Sequence, residues 1–373
     1  MHDNLEKKYL RFIRNEPKGF VSFLLNIFLT PLSWIYSLVI VLRNKAYDYG
    51  LFKVQSADVP AVVSIGNIVV GGTGKTPVTM MLTKELLNRF PIAILSRGYR
   101  SHAENLKTPL ILCNGSGPEY PVSLCGDEPY LMAENIPEAH IYVGKDRFQS
   151  AQMAVNHGAK LVILDDGMQH RQLARDFDVI VMDASDPFGK GKLLPKGLLR
   201  EQLSSLKRAD IIVLNNITDT KQYTSISKEI TKYSSAPVVG TKVNVVMVKN
   251  IDDSPIDSLK GKNIGMLCGI GSPENFKNTL EELGANITTS LVLPDHKTVS
   301  KKKLLTFIET CQSKGVEYIA CTEKDKVKLK EVESKLIPLV WVKIELQVQE
   351  GINHWKEFIK KTVQMVNKNK DRN

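Results

Sequence analysis

The sequence has little sulfur chemistry to offer: its five cysteines, Cys113, Cys125, Cys268, Cys311 and Cys321, form no Cys-x-x-Cys pair. That argues against a zinc or disulfide framework and suits buried thiols in a reducing compartment. Aromatic residues make up only 7% of the chain, and no basic stretch is interleaved with them, so the lysine excess carries no nucleic-acid signature. No small-x-small cleavage site follows the basic leader Lys7, Lys8, Arg11, Arg14 and Lys18, which argues against a cleaved signal peptide. What remains is ample: 373 residues, 43% of them hydrophobic, supply material for two α/β domains. A formal charge of +10, with much of the lysine late in the chain, favours an anionic partner such as a phosphorylated substrate or an anionic lipid surface.

Charge is missing altogether from Phe20 to Leu42, with Arg43 and Lys45 beyond. A helix of that length, rising about 1.5 Å per residue, is long enough to cross a bilayer core. Yet Ser22, Asn26, Thr30, Ser33 and Ser37 recur at helical spacing and fall on one narrow stripe, with Leu24, Leu25, Phe28, Leu32, Trp34, Ile35 and Leu38 around the rest. Basic flanks on both sides choose no orientation. A helix lying in the membrane interface fits this pattern best, with a single span and a buried core helix as the alternatives.

The segment that follows carries chemistry. Val62-Val63-Ser64-Ile65 reads as a buried parallel strand, and Val69-Val70-Gly71-Gly72-Thr73-Gly74-Lys75-Thr76 leads from it into a helix opened by Pro77. Small residues let the backbone curl so that its N–H groups converge on one anionic oxygen cluster. Lys75 adds a point charge, and the Thr76 hydroxyl is placed for Mg²⁺. The usual first glycine of such a turn is absent, since Val69 stands there, so Gly71 and Gly72 must supply the curl. This is the signature of a nucleoside triphosphate site.

Strands and helices then alternate, which predicts a doubly wound parallel sheet with ligands at the carboxyl ends of its strands. Ile92–Leu95 ends in Ser96-Arg97-Gly98-Tyr99-Arg100, His140–Val143 in Gly144-Lys145-Asp146-Arg147, and Lys160–Leu164 in Asp165-Asp166-Gly167-Met168-Gln169-His170. Asp165 and Asp166 stand where a carboxylate would hold Mg²⁺. Asp127 and Glu128 open another helix, one a candidate for metal and the other for a hydroxyl proton. Arg97, Arg147 and Arg200 are candidates for gripping phosphates. His296, after Asp295, could relay a proton.

Taken in order, Gly66-Asn67, Gly71–Pro77, Ser96–Tyr99, Gly126-Asp127-Glu128-Pro129, Asp165–His170, Leu194–Glu201, Asp295-His296 and Thr322-Glu323-Lys324-Asp325 resemble the tetraacyldisaccharide 4′-kinases of lipid A synthesis (LpxK) over essentially the whole chain. The resemblance implies a P-loop NTPase-like α/β fold plus a second, smaller Rossmann-like α/β domain, joined by a β-ribbon and closing around nucleotide and lipid. Its expected divisions are a membrane-interface helix (1–45), a nucleotide-binding kinase domain (46–240), a ribbon (241–261) and a C-terminal α/β domain (262–373). It implies ATP and Mg²⁺ as cofactors and transfer of the γ-phosphate to the 4′-hydroxyl of an acylated glucosamine disaccharide 1-phosphate, giving lipid IVA. The expected location is peripheral, at the cytoplasmic face of the bacterial inner membrane, with no nucleic acid and no obligate protein partner. By the same resemblance Asp127 and His296 form the base and Lys75 serves catalysis. Thr76, Glu128, Asp165 and Asp166 attend the metal. Arg97, His170, Arg200 and Glu201 meet the acceptor. Met168 stands where Phe is usual in the family, and Gln202 where Pro is usual; both bear on local packing. A switch ATPase with a similar turn would carry lysine at Val70 and would leave the second domain unexplained.

Overall fold

The computed structural model describes residues 20–294, 299–329 and 337–370. Along the chain run α1 (Phe20–Asp48), β1 (Ala61–Gly66), α2 (Lys75–Leu86), β2 (Ile92–Ser96), β3 (Leu110–Asn114), α3 (Asp127–Asn135) and β4 (His140–Val143). Then come α4 (Arg147–Asn156), β5 (Leu161–Asp165), β6 (Phe177–Asp183), β7 (Ile211–Asn215), α5 (Thr220–Ile230), β8 (Val238–Asn250), β9 (Pro255–Ile256) and β10 (Asn263–Cys268). The last are α6 (Pro273–Glu282), β11 (Asn286–Val292), α7 (Lys301–Ser313), β12 (Tyr318–Thr322), α8 (Glu323–Leu329), β13 (Leu339–Glu350) and α9 (Ile352–Lys370). The chain forms two compact units. One takes the residues up to Arg97, Asp146–Thr241 and the residues from Val348; the other takes Gly98–Lys145 and Lys242–Gln347.

The first unit carries parallel strands in the order β2-β5-β1-β6-β7-β8. Strands β1, β2, β5 and β7 are buried along their whole length, as a parallel sheet covered on both faces requires. From β1 the chain moves to β2 and β5 on one side, then to β6 and β7 on the other. The carboxyl end of β1 is therefore the topological switch point, where such sheets hold ligands. Val69, the residue in place of the usual glycine, spends its side chain on the core with Ile68, Met168, Ile180 and Leu214.

Helix α1 docks onto this unit by its polar stripe. Lys196 Nζ donates to Thr30 Oγ1 (2.8 Å), Ser33 Oγ to Leu193 O (3.0 Å), Tyr36 OH to Arg200 O (3.0 Å) and Gln202 Nε2 to Ser37 Oγ (3.0 Å). The apolar remainder faces outward, with Phe28 68% and Trp34 71% exposed. The fully buried Glu201 closes the junction, accepting from Arg43 Nη2 (2.7 Å), Asn44 Nδ2 (2.8 Å) and Ser205 Oγ (3.2 Å). Because it takes away the acceptor shared by Arg43, Asn44 and Ser205, Glu201→Ala should lower unfolding free energy by about 2 kcal/mol in urea titration. A loss below about 0.5 kcal/mol would show the junction to be loosely held.

The second unit contains the parallel set β11-β10-β12-β13, the β8/β9 hairpin, and one antiparallel pair, β3/β4. That pair departs from the all-parallel expectation: β4 was foreseen and its partner β3 was not. Its core includes one cluster around Leu304, Phe307, Ile319 and Trp341 and another around Ile264, Met266, Phe276 and Val340. Ser272 and Pro273 open α6, with the proline in the first turn, where a missing N–H costs little. Part of the late lysine run is structural. Lys326 is 5% exposed, lying 4.2 Å over the Trp341 ring and 2.7 Å from Asp253.

Candidate active site

At the switch point the turn after β1 curls through Gly71 (φ 117°) and Gly74 (φ 83°) before α2 starts at Lys75. Ahead of the glycines the chain pairs antiparallel with Leu198–Arg200: Val70 N–H donates to Leu198 O (2.7 Å) and Arg200 N–H to Ile68 O (2.7 Å). That pairing carries the Arg200 side chain to the turn. Asn67 knits the pieces, donating from Nδ2 to Thr73 Oγ1 (3.0 Å) and accepting from Arg200 Nη1 (3.3 Å), while Gln169 Nε2 donates to Asn67 O (2.9 Å). Gly66 makes room for this packing, since a Cβ there would lie 2.4 Å from that of Met168. Met168 itself is buried at that contact.

Asp166 (φ 50°) sits between two cations, 3.5 Å from Lys75 Nζ and 3.2 Å from Arg200 Nη1. Burial pushes its carboxyl pKa up, but Lys75 and Arg200 outweigh that and hold it at about 2, so it is ionised at neutral pH. Asp165 is buried, accepting from Thr79 Oγ1 (3.4 Å) and Ser96 Oγ (3.5 Å), while Arg147 Nη2 donates to its carbonyl (3.3 Å). Thr76 lies in the first turn of α2. Arg97 is exposed just beyond β2.

His170 is half-buried among arginines. Desolvation, then the charges of Arg147, Arg175 and Arg97 against the opposing Asp146, lower its pKa to about 4. The unfolded chain therefore takes up this proton near pH 6.5 and the folded chain only near 4. The stabilisation is complete above pH 6.5 and is lost as pH falls from 6.5 toward 4. Relative to His170→Gln, the wild-type chain should lose about 3 kcal/mol across that window in paired urea titrations. Parallel pH curves for the two proteins would contradict a neutral His170.

The sequence reading did not single out Asn215, at the end of β7. Its Nδ2 donates to Thr73 O (2.8 Å) and Gly74 O (3.2 Å), and its Oδ1 accepts from Thr241 Oγ1 (2.5 Å). The available signal was its place at the carboxyl end of the apolar strand Ile211–Leu214, the position that flagged every other polar cluster.

In the second unit, Gly126 (φ 92°) precedes α3 and backs onto Gly98, letting the Ser96–Tyr99 and Gly126–Pro129 motifs meet. Asp127 is 9% exposed. Its Oδ2 is 2.8 Å from Lys328 Nζ and 3.7 Å from Lys324 Nζ, and Lys324 also reaches Glu128 Oε1 (3.1 Å). Asp325 of the same motif accepts from Gly269 N (3.0 Å) and Thr322 Oγ1 (2.7 Å), burying its carboxylate in the Gly269–Gly271 turn. Asp295 and His296 lie outside the described residues.

Among the described residues no three His, Cys, Asp or Glu side chains gather closely enough to hold a cation unaided. Mg²⁺ in phosphoryl-transfer sites takes one or two protein carboxylates and completes its shell with phosphate oxygens and water. Thr76, Asp165 and Asp166 each carry an oxygen donor of the hard kind such a cation takes.

A doubly wound sheet with a glycine turn, a lysine and an ionised aspartate at its switch point defines an α/β enzyme that handles phosphate esters. The family model for LpxK, tetraacyldisaccharide-1-P 4′-kinase, matches residues 25–364, and the chain belongs to that family of phosphotransferases. It is 33% identical over 344 residues to a tetraacyldisaccharide 4′-kinase from Halothermothrix orenii, covering 88% of this chain and 89% of that one. Over 322 residues it is 36% identical to one from Chlamydia pneumoniae, covering 86% of each. The crystal structure of the "apo" form of LpxK from Aquifex aeolicus in complex with ATP superposes with a TM-score of 0.70 at 28% identity, covering 92% of this chain and 99% of that one.

Proposed function

We propose that this chain transfers the γ-phosphoryl group of ATP to the 4′-hydroxyl of tetraacyldisaccharide 1-phosphate, giving lipid IVA, at the cytoplasmic face of the inner membrane. The observation that carries the reading is the convergence of Lys75, Arg200 and Asp166 beside the glycine turn, in a chain of this family. In this reading the Val69–Thr76 segment wraps the phosphates, its N–H groups and Lys75 facing the β- and γ-oxygens. Thr76, Glu128 and the Asp165-Asp166 pair would hold Mg²⁺, which when bound neutralises charge on the transferring group. Asp127 with His296 takes the proton from the acceptor hydroxyl. Arg97 and Arg200 grip phosphate oxygens, and a neutral His170 can accept a hydrogen bond from a sugar hydroxyl.

The amphiphilic acceptor requires a site at a membrane. Helix α1 spans 29 residues, and its segment Leu24–Asp48 is long and apolar enough to cross one, by length and composition. With the polar stripe turned inward, the outward Phe28, Trp34 and Ile35 suit peripheral insertion. Beside them a cavity of about 350 Å³, lined by Thr30, Ser33, Lys192, Lys196 and Gln202, offers cations to a headgroup. Replacing Phe28, Trp34 and Ile35 with serine should release the protein from anionic phospholipid vesicles in a flotation assay. Unchanged flotation would make α1 a structural helix.

The activity itself is tested by mixing the full chain, Mg²⁺ and γ-labelled ATP with tetraacyldisaccharide 1-phosphate in detergent micelles. Label on the lipid is expected. Hydrolysis of ATP without lipid labelling, by folded protein, would instead favour a nucleotide-driven switch.

A further inference from the structure

The glycine turn is gripped from its outer side by a residue that carries no charge. Asn215 is 1% exposed, and its Nδ2 donates to two successive carbonyls of the turn, Thr73 O at 2.8 Å and Gly74 O at 3.2 Å. In a trans peptide the C=O and the N–H of the same plane point in opposite directions. The plane whose carbonyl is Thr73 O carries the Gly74 N–H, and the plane whose carbonyl is Gly74 O carries the Lys75 N–H. Holding both carbonyls toward β7 therefore aims both N–H groups away from it, into the concave side of the turn. The approach is close: a Cβ on Gly74 would lie 2.3 Å from Asn215 Nδ2, and the left-handed φ of 83° independently favours glycine there.

An amide can turn either edge toward its neighbours, and here the two turn carbonyls, which only accept, select the NH₂ edge. Thr241, fully buried in β8, donates its hydroxyl to Asn215 Oδ1 at 2.5 Å and so braces the amide from its far edge. The reversed amide would set its oxygen against two carbonyl oxygens. Two buried, uncharged residues on neighbouring strands thus form a chain, Thr241 to Asn215 to the turn.

We infer that Asn215 is a positioning residue for phosphoryl transfer: it clamps the outer face of the turn so that the Gly74 and Lys75 N–H groups face the nucleotide phosphates, and Thr241 braces the amide that does so. The inference rests on the reading of this turn as the ATP phosphate cradle. It adds to that reading two residues whose effect is confined to the nucleotide.

The test compares Asn215→Leu, Thr241→Val and Lys75→Ala by titration with a non-hydrolysable ATP analogue and Mg²⁺, and by the KM for each substrate. Removing the side-chain donor to both Thr73 O and Gly74 O, with Gly74 O keeping the Val78 N–H, Asn215→Leu should weaken nucleotide binding and raise the KM for ATP roughly ten- to a hundredfold, with the KM for the lipid acceptor within about twofold. Thr241→Val, nearly the same shape, should move the same quantities in the same direction by roughly three- to tenfold. If Asn215→Leu fails to fold, Thr241→Val decides alone. Folded variants that bind nucleotide like the wild type while Lys75→Ala does not would overturn the inference and spare the cradle. So would equal rises in both KM values, the mark of a general packing role. Should Lys75→Ala also retain full affinity, the cradle reading itself falls, and this inference with it.

Discussion

Asp127→Asn should lower lipid phosphorylation by about two to four orders of magnitude, the usual range for a lost general base, while ATP affinity stays within a few-fold. The carboxylate is nearly buried and held 2.8 Å from Lys328 Nζ, whose own side chain is 9% exposed. Replacing it with an amide therefore takes the nearest anion from a buried ammonium and should also destabilise the fold by about 3 kcal/mol. The two losses can be separated. Adding Lys328→Met should restore most of the stability, because it removes the stranded charge, but none of the turnover. If turnover returned with stability, or if Asp127→Asn retained near-normal turnover, Asp127 would be a structural anion and the base would lie elsewhere. His296→Ala should show the same loss of turnover.

The second large effect is expected at Lys75. Its ammonium, 16% exposed and 3.5 Å from Asp166, is a mobile point charge beside the turn. Removing a single charge-stabilising donor from such a site typically costs about 10²–10³ in rate, and Lys75→Ala should fall by that much or more in kcat/KM for ATP. Lys75→Arg should not rescue it, because a broad planar guanidinium cannot occupy the same point as a compact ammonium. Asp166 would still keep Arg200 at 3.2 Å, so the fold should tolerate the change, and thermal melts should shift by only a few degrees. A Lys75→Ala enzyme with wild-type kcat/KM would place the nucleotide phosphates somewhere other than this turn.

The strand, glycine turn and helix from Ala61 to Leu86 were legible because everything that defines them is local: an apolar run, small residues, then Lys75 and Thr76 in consecutive order. Asp166 was found by a rule of topology, that polar residues at the carboxyl ends of parallel strands face the ligand. The same rule reaches Asn215, but an uncharged amide draws no notice until the carbonyls it serves are seen, and those lie far away in sequence. Asn67 is the parallel case, quoted as part of a motif yet given no task. Periodicity grouped Asn26, Thr30, Ser33 and Ser37 on one stripe, but nothing in a period tells what covers it; here part of the cover is the Leu193–Gln202 loop. Arg200 and Glu201 illustrate a further limit. The chain bends at this pair and their side chains alternate in direction, so Arg200 reaches Asp166 while the Glu201 carboxylate turns to Arg43 and Asn44. The β3/β4 pair escaped because antiparallel pairing depends on a partner that β4 alone does not announce.

That alternation has a practical side. The usual way to make a protein with an oily amino-terminal helix easier to handle is to cut the helix off. Here the strand of loop that presents Arg200 is bolted to the helix on its other side, through Tyr36, Ser37, Arg43 and Asn44. Trimming α1 would gain solubility and at the same stroke unfasten an arginine of the phosphate site, so a shortened enzyme that proves inactive would say nothing about whether the membrane is needed for catalysis.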